Sequence, residues 1–369
     1  MERIKTIAFY LPQFHEIPEN NKFWGKGFTE WNNVRSAKPL FDGHDQPRVP
    51  ENENYYNLED VSVMKRQVSL AKDAGLYGFC FYHYWFKSKP VMSKPLDNYL
   101  KAMDINFPYC LCWANESWNN GWAKSDQKVI LEQEYGDEEE WEKHFQFYLK
   151  FFKDERYIKE NNKPFLVIYR PYSCEYMLDV LKYWNKRAVE EGFNGITYLS
   201  QRFEITNDKA LYDYMNYHIE YEPGFVWSKA EYPENRISLK SRLHDAILRR
   251  TNVDISFLAS GLKYRDYDLV WKRILELKPE NEKSVAGAFV DWDNSPRHKE
   301  RGVVCVGTTP EKFKRYISLQ LEHIKREYTP QYMFIFAWNE WGEGGYLEPD
   351  VSHGHKYLDA LHEAMYGEH

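Results

Sequence analysis

Residues 58–84 read LEDVSVMKRQVSLAKDAGLYGFCFYHY, a helical pattern followed at once by a short apolar run. Apolar residues recur at helical spacing from Leu58 until Gly75 closes the pattern, which predicts an amphipathic helix. The run from Gly78 to Tyr84 has the length and aromatic content of a buried strand. The same order of elements recurs along the chain and gives eight candidate strands: Lys5 to Leu11, Gly78 to Tyr84, Tyr109 to Trp113, Phe165 to Tyr169, Gly195 to Ser200, Tyr217 to Tyr221, Val285 to Val290 and Met333 to Trp338.

Further helical patterns lie between these strands, at residues 141–154, 176–192 and 310–328, and the last opens with the helix-start signal Thr309-Pro310. Strands that alternate with helices form a parallel sheet, and eight such units fit a closed barrel. We therefore predict an α/β fold, a (β/α)8 TIM barrel with long loop insertions. A doubly wound open sheet is the alternative, but neither GxGxxG nor GxxxxGK[ST] follows the first strand, which disfavours a nucleotide-binding sheet.

The 369 residues show no interdomain linker and no internal repeat, so we predict one catalytic domain over residues 1–369. Two long segments, at about 12–57 and 223–283, are predicted to be insertions on the barrel's loops. The first is rich in Asn, Pro and aromatic residues. The second carries many basic residues and is interpreted as a lid over the barrel.

Composition excludes some partners and favours others. The net charge of −7 leaves no basic surface to neutralise a phosphate backbone, so nucleic acid is not expected as a partner. Aromatic residues make up 17% of the chain, with 13 Trp and 29 Tyr, which is a large share for so hydrophilic a sequence. Aromatic faces that converge with polar groups in a concave site suit an oligo- or polysaccharide. The alternative is an aromatic-rich core whose tyrosine hydroxyls reach water.

The five cysteines have neither the spacing of a disulfide framework nor that of a zinc site, and we interpret them as reduced core residues. The amino terminus, MERIKTIAFYLPQFH, is interpreted as a first strand rather than a signal peptide, because Pro12 interrupts its apolar run. No apolar run approaches the roughly 20 residues of a membrane helix. The expectation is a cytoplasmic protein without a membrane span, a cofactor or a metal; its oligomeric state is left open.

Chemically active side chains follow most of the predicted strands. The active site of a (β/α)8 barrel lies at the C-terminal ends of its strands, so these residues are expected to converge. Each also has a structural interpretation, for example His83 as a core residue, Glu116 as a helix cap, or Arg170 and Glu220 as a structural ion pair. The candidates for substrate binding are Trp31, His83, Trp85, Trp113, Asn115, Glu116, Tyr169, Arg170, Glu220, Asp291, Trp292 and Asn339.

The stretch FAWNEWGEGGYLEPD, residues 336–350, places Glu340 and Glu343 three residues apart beside a glycine cluster. One interpretation is a solvated turn after a strand. The other is catalytic, since cleavage of a glycosidic bond commonly uses two carboxyl groups, one as acid and one as base or nucleophile. If both face the cavity, their repulsion and the surrounding rings are expected to raise one pKa, although the spacing does not say which.

Four segments together resemble the WbsX-type family, whose members are often labelled as glycosyltransferases of polysaccharide biosynthesis. They are AFYLPQFHEIPENNKFWGKGFTEWNNV, FYHYWF, FPYCLCWANESW with the following ILEQEY, and FAWNEWGEGGYLEPD, and the resemblance spans nearly the whole chain. The segment NEWGEGGYLEP is also similar to the NEWxEGxxxEP signature of glycoside hydrolase family 99, the endo-α-mannosidases and endo-α-mannanases. Those enzymes are (β/α)8 barrels.

The resemblance to family 99 implies a retaining mechanism without a carboxylate nucleophile. Glu340 would deprotonate the sugar's 2-hydroxyl, which attacks the anomeric carbon to give a 1,2-anhydro sugar. Glu343 would protonate the departing oxygen and then activate the incoming water or sugar hydroxyl. An intramolecular attack has the advantage of a pre-oriented nucleophile. Gly342 stands at the free position of the signature, where family 99 enzymes often have a histidine, so mannose specificity does not follow from the resemblance.

Two other functions remain open at this stage. A glycosyltransferase that uses a nucleotide sugar is suggested by the WbsX label, and Asp291-Trp292-Asp293 matches the metal-binding DxD pattern literally. A non-catalytic carbohydrate-binding barrel is the third hypothesis, and it would be favoured if Glu340 or Glu343 pointed away from the cavity. The sugar, the linkage and the choice between endo and exo action cannot be predicted from these residues.

Overall fold

The eight candidate strands all form, and they close into one parallel barrel. In the computed structural model, which describes residues 3–119, 129–202, 208–229 and 261–367, each strand lies within a few residues of its predicted bounds. The largest shifts are of two residues, for example in the second strand, which continues to Phe86, and in the fourth, which starts at Lys163. The strands are β1 (Lys5–Tyr10), β2 (Gly78–Phe86), β3 (Tyr109–Trp113), β4 (Lys163–Ile168), β5 (Thr197–Arg202), β6 (Tyr217–Glu220), β7 (Ser284–Phe289) and β8 (Tyr332–Phe336).

Pairing of the first strand with both the second and the last closes the barrel. Ile7 of β1 is in register with Gly78 of β2 and with Phe334 of β8. The other strands pair in parallel in chain order from β2 to β8. In an open doubly wound sheet two strands would remain as edges. The predicted (β/α)8 barrel is therefore confirmed.

Helices occupy the segments between the strands, as their apolar periodicity predicts. Asp60 caps the helix after the first insertion by accepting a hydrogen bond from Ser62 N, and Thr309 caps the last long helix through Lys312 N. The helices are α1 (Pro18–Trp24), α2 (Trp31–Ser36), α3 (Val61–Asp73), α4 (Lys94–Lys101), α5 (Glu138–Phe152), α6 (Met177–Glu190), α7 (Lys209–Tyr214), α8 (Gly224–Ser228), α9 (Tyr267–Glu276), α10 (Ser295–His298), α11 (Pro310–Glu327) and α12 (Lys356–Tyr366).

Several 3-10 turns and short strands accompany the strands and helices of the barrel. Single turns of 3-10 helix form at Glu51–Glu53, Pro171–Ser173, Lys299–Arg301 and Trp341–Glu343. Short strands pair Trp118–Asn119 with Val129–Leu131, Lys263–Asp266 with Val303–Val306, and Asn339–Glu340 with Gly345–Tyr346, while Lys89–Val91 extends β2 and Lys159–Glu160 extends β4.

The barrel strands are buried on both faces, because side chains fill the interior and helices cover the outside. Every residue of β2 from Gly78 to Phe86 is buried. Much of the aromatic content lies in these layers, with Trp184, Trp271 and Tyr109 fully buried. The aromatic-rich core that we weighed as an alternative is thus present. All five cysteines are buried free thiols, as expected.

The two predicted insertions differ in how far the structure describes them. The first contains α1, α2 and the turn at Glu51–Glu53, and it packs on the segment after β8, where Glu51 N donates to Pro349 O at 3.0 Å. Most of the segment interpreted as a lid lies outside the described residues, which stop at 229 and resume at 261. Over the described ranges, no helix is both long and apolar enough to span a membrane.

Candidate active site

A cavity of about 400 Å³ opens at the C-terminal ends of the strands, where a (β/α)8 barrel carries its active site. Both glutamates of the signature, Glu340 and Glu343, line it. Two of the predicted binding residues, Glu116 and Tyr169, line it as well. The remaining lining residues include Leu11, Gln13, Asn20, Trp24, Phe28, Glu30, Tyr82, Tyr84, Met92, Trp118, Asn119, Tyr221, Arg297 and Phe336.

The backbone of the signature loop brings its two glutamates to one side. After β8, Asn339–Glu340 pairs antiparallel with Gly345–Tyr346, and a single 3-10 turn connects the two. Residues three apart on such a turn eclipse one another. Gly344 ends the turn at φ +71°, a left-handed conformation that favours glycine. The loop therefore projects Glu340 and Glu343 together into the cavity.

Two buried polar residues, Asn339 and Glu348, fix the position of the signature loop through hydrogen bonds. Asn339 exchanges hydrogen bonds with the backbone of Leu11 after β1, accepting from its N at 2.8 Å and donating to its O at 3.0 Å. Glu348 accepts from Tyr56 Oη at 2.6 Å, Trp341 Nε1 at 2.8 Å and Gln67 Nε2 at 2.7 Å. Asn339, predicted to bind substrate, thus lies beneath the cavity and positions the loop.

A single arginine contacts three carboxylates at the base of the cavity. Arg297 Nε donates to Glu30 Oε1 at 2.7 Å, Nη2 to Glu340 Oε1 at 3.0 Å, and Nη1 lies 2.9 Å from Glu343 Oε1. Only 10% of the Arg297 side chain is exposed, against 7% for Glu30, 4% for Glu340 and 23% for Glu343. With three carboxyl groups around one cation, full ionisation would leave the cluster with two excess negative charges.

Burial of this cluster favours a shared proton on the glutamate pair. The pKa of Glu340 is raised to about 8, chiefly by burial and in smaller part by the charges of Glu343 and Glu30, while Arg297 opposes the rise. Burial likewise raises the pKa of Glu343 above its usual value, against the lowering effect of Arg297. Because the two groups interact, the protons belong to the pair. These shifts favour the retention of a proton by the pair near neutrality.

Tyrosines and other aromatic residues line the same cavity as the two glutamates. Burial raises the pKa of Tyr84, Tyr169 and Tyr221, so these phenols stay neutral and can donate hydrogen bonds to sugar hydroxyls. The rings of Trp24 and Phe28, both in the first insertion, lie 5.6 Å apart and nearly parallel. They offer an apolar face to a ligand at the cavity rim.

Three of the predicted binding residues lie behind the barrel wall. His83 is buried, with its Nε2 2.8 Å from His144 Nε2 on α5, and burial lowers its pKa to about 3. The ring of Trp85 stacks on His144 at 4.4 Å, and that of Trp113 packs on Trp184 at 5.6 Å. These side chains belong to the layer between barrel and helices, and none lines the cavity as described here.

The predicted polar candidates near β3 and β4 hold two loops together at the rim. Asn115 donates to Arg170 O at 2.7 Å and accepts from Arg170 N at 2.7 Å. Arg170 forms an ion pair with Glu116, and its guanidinium lies 5.3 Å from the Tyr169 ring. Arg170 therefore pairs with Glu116 and not with Glu220 as the structural alternative supposed. Glu116, 41% exposed, is the member that reaches the cavity.

The remaining candidates also make structural contacts. Glu220 accepts from Tyr328 Oη at 2.6 Å, behind β6. The Trp292 ring packs on Trp227 and, on the cavity side, on Phe336, each at 5.3 Å. Trp31 is buried in the first insertion, where its Nε1 donates to Tyr56 O at 2.8 Å.

Asp291 of the DxD pattern lines a second cavity, of about 290 Å³, which Gly344 and Tyr346 of the signature loop also line. Asp291 accepts from Arg48 Nη2 at 2.6 Å. Asp293 accepts from His44 Nε2 at 2.8 Å and from Gln46 Nε2 at 2.6 Å. Although burial raises it, these hydrogen bonds and the Arg48 charge lower the pKa of Asp293 to about 2. Protein donors thus already engage both carboxylates.

The difference between Trp113 and Trp24 gives a prediction. Trp113→Ala removes a buried ring, so we expect it to lower the free energy of unfolding by about 3–5 kcal/mol. Trp24→Ala, at the cavity rim, is expected to leave the unfolding free energy nearly unchanged and to weaken glycan binding. Urea unfolding and titration of an oligosaccharide into each variant measure the two effects. Weaker binding by a fully folded Trp113→Ala protein would contradict the assignment.

Sequence reasoning missed much of the cavity lining, including five side chains with acidic, basic or phenolic groups. Glu30 and Arg297 were overlooked because neither comes directly after a barrel strand, although Glu30 lies inside a segment already singled out, FTEWNNV. Tyr82 and Tyr84 are the neighbours of His83, which was chosen in their place. Tyr221 directly follows Glu220. The available signal was the alternation of side chains along a strand, which places i and i+2 on one face.

Comparisons with known proteins agree with the recognised motifs. The model of the family described as Glycosyltransferase WbsX matches residues 6–361. Two curated relatives from strains of Xanthomonas campestris pv. campestris, both called uncharacterized protein WxcX, are 32% and 31% identical over 364 residues, 97% of this chain. The match covers 49% of each relative, so the chain spans about half their length.

Solved structures of similar fold include a glycoside hydrolase family 99 endo-alpha-mannosidase from Bacteroides thetaiotaomicron. It aligns with a TM-score of 0.54 and 12% identity, covering 100% of this chain and 97% of that one. A protein described as glycoside hydrolase-like aligns with a TM-score of 0.58 and 10% identity, covering 99% and 94% of the two chains. At these identities the likeness establishes a shared fold.

Proposed function

The chain belongs to the family described as Glycosyltransferase WbsX, and on that premise we propose that it is a carbohydrate-active enzyme that cleaves glycosidic bonds within an oligo- or polysaccharide. The observation that carries the proposal is the placement of Glu340 and Glu343 on one guanidinium inside an aromatic-walled cavity. Two carboxyl groups that share one proton supply both the acid and the base that this reaction needs. The cavity volume falls within the range of ordinary small-molecule sites.

We propose a retaining reaction in which the sugar's own 2-hydroxyl is the nucleophile. Glu340 takes the proton of that hydroxyl as its oxygen attacks the anomeric carbon, and Glu343 gives its proton to the leaving glycosidic oxygen. A water then donates a proton to Glu343, attacks the anomeric carbon of the 1,2-anhydro sugar and opens it, while Glu340 returns its proton to the 2-oxygen. The first attack is intramolecular, so little translational entropy is lost.

The accessibility of the carboxylate oxygens of the two glutamates supports these roles. Glu340 is almost fully buried, and within the described part of the chain its Oε2 has no hydrogen-bond partner, so this oxygen is free to accept a sugar hydroxyl. Glu343 keeps 23% of its side chain exposed, which lets the attacking water reach its carboxylate in the second step. We therefore assign Glu340 to the 2-hydroxyl and Glu343 to the leaving group.

Action inside a glycan chain is supported by aromatic residues that two separate segments bring to the cavity of the glutamates. Trp24 and Phe28 lie on the first insertion, while Trp118 lies on the loop after β3 and packs edge-on against Tyr84 at 5.0 Å. Rings from two segments offer more than one stacking surface, as binding of several sugars requires. An α-mannoside satisfies the requirement for a 2-hydroxyl trans to the leaving group, and it heads the list of substrates to be tried.

The family's description favours a second candidate, a glycosyl transfer reaction. If a sugar hydroxyl replaced water in the second step, Glu343 would activate it in the same way and the product would be a new glycoside. A transfer from a nucleotide sugar would instead need a site for a diphosphate. Asp291 and Asp293 offer such a site less readily, because Arg48, His44 and Gln46 already bind them.

Ligand-induced stabilisation tests the class of function before the substrate is known. A ligand that binds the folded state raises the apparent stability in proportion to ln(1 + [L]/Kd). We expect iminosugars to raise the Tm of the wild type and not that of Glu340→Gln. Stabilisation by UDP or GDP with Mn²⁺, and none by iminosugars, would overturn the hydrolase proposal. Glycans that bind without any product on mass spectrometry would support a binding barrel.

A further inference from the structure

The strongest unassigned feature of the cavity is the contact between Glu30 and Arg297. Glu30 precedes α2 in the first insertion, and Arg297 lies in α10, after β7. They are 267 positions apart in sequence, yet Arg297 Nε and Glu30 Oε1 are 2.7 Å apart and both side chains are at least nine-tenths buried. A buried ion pair adds little net stability, because desolvation offsets most of its attraction. Its place beside two reactive carboxyl groups suggests another role.

We propose that Glu30 and Arg297 form a charge-setting pair: Glu30 holds Arg297 between Glu340 and Glu343 and offsets part of its charge, so that the two glutamates together retain one proton near neutrality. Glu30 acts through Arg297 and is a positioning residue. The catalytic use of that proton rests on the proposed function, but the charge coupling itself does not. The inserted segment thereby completes the site.

Packing between the two segments keeps this geometry. Trp31, next to Glu30, lies 5.5 Å from Trp341, next to Glu340, so one aromatic contact positions both neighbouring carboxylates. Gly342 leaves room for the ion pair, since a Cβ there would lie 2.5 Å from Glu30 Oε1 and 2.8 Å from Arg297 Nε. The glycine at the free position of the family 99 signature thus lies where a larger residue would meet the pair.

The charged groups around the glutamates determine the direction in which each variant should shift the pKa of the pair. Arg297 is the cation that contacts them, and Glu30 is the further carboxylate that acts on both. The facing groups from the other strands are the phenols of Tyr84, Tyr169 and Tyr221, which stay neutral. Loss of the Glu30 charge strengthens the net positive field on the pair. Loss of the Arg297 charge removes that field.

The pH dependence of stability, measured without any substrate, tests the proposal. A carboxyl group whose pKa is raised by folding stabilises the native state below its unfolded pKa, and that contribution is lost as the pH rises through its folded pKa. The wild type should therefore lose Tm between pH 5 and pH 9. We expect Glu30→Gln to move this loss to lower pH and to reduce it. Arg297→Gln should move it to higher pH, by about one to three pH units, and enlarge it.

Controls separate charge coupling from loss of an ion pair. Glu142→Gln breaks a different Arg–Glu pair, with Arg187 on α6. The hydrogen bond from Arg187 lowers the pKa of Glu142 to about 2, so its stability contribution is present above its ordinary pKa and is lost only in acid. Its Tm profile from pH 5 to pH 9 should keep the wild-type shape. If Arg297→Gln does not fold, Arg297→Lys should show the same direction with a smaller shift.

The experiment can contradict the charge-setting pair and the proposed function separately. Opposite displacements in Glu30→Gln and Arg297→Gln, with an intermediate curve for the double variant, support the charge-setting pair even if no glycan is cleaved. Equal losses of Tm at every pH in both variants would overturn it, whether or not the protein is a hydrolase. Once a cleaved substrate is known, the pH profile of kcat/KM should shift in the same way, to lower pH in Glu30→Gln and to higher pH in Arg297→Gln.

Discussion

Glu340→Gln is expected to lower the kcat/KM for glycan cleavage by roughly 10³- to 10⁴-fold, whatever leaving group the substrate carries. Glutamine can accept a hydrogen bond from the 2-hydroxyl but cannot take its proton, so the internal nucleophile is not generated. Folding should not suffer, because glutamine keeps the size of the side chain and removes a charge that burial disfavours at this position. We expect the Tm at pH 8 to match or exceed that of the wild type.

The measurement is the rate of product formation for two substrates that share a sugar and differ in the leaving group. Glu142→Gln, which makes the same chemical change in an ion pair on the helix layer, serves as the control and should retain the wild-type rate. Near-normal turnover by Glu340→Gln would rule out the anhydro-sugar route. A 2-deoxy substrate that is cleaved at the normal rate would do the same.

Glu343→Gln should show a loss that depends on the leaving group. For a sugar leaving group, which needs a proton, we expect a loss of about 10²- to 10⁴-fold in kcat/KM. For an activated aryl glycoside, whose phenolate leaves without protonation, the loss should be small. The ratio of the two losses, measured side by side, reports acid catalysis and is insensitive to the fraction of folded protein.

A reversal of this pattern would reassign the residues. If Glu340→Gln spared activated substrates while Glu343→Gln slowed all of them, Glu340 would be the acid. If both variants lost the same factor on both substrates, the pair would act only in binding. In each case the pair's location in the cavity would remain, because it follows from the contacts with Arg297.

The fold was predictable because its signal is repeated along the chain. Each of the eight units pairs an apolar run with an amphipathic helix, and an error at one unit would have left the alternation intact. The signature glutamates were predictable for a related reason: they follow the last strand at a spacing that a single turn brings together. Both inferences rest on local patterns in the sequence.

The choice of cavity-facing residues failed where it required the orientation of a strand. His83, Trp113 and Glu220 point outward to the helices, while Tyr82, Tyr84 and Tyr221 line the cavity or its floor. Side chains alternate along a strand, so a choice shifted by one residue selects the wrong face. In a parallel barrel both faces are buried and apolar, and the sequence then carries no polarity that distinguishes them.

The sequence by itself determined the strand and helix order, the barrel class, the family resemblance and the identity of the two signature glutamates. Only the tertiary structure decided which face of each strand meets the cavity, and that Glu30 and Arg297 join Glu340 and Glu343 there. The physical reason is distance along the chain. Arg297 meets Glu30 across 267 positions and Glu340 across 43, and such contacts form only when the barrel closes and the first insertion packs on the loop after its last strand.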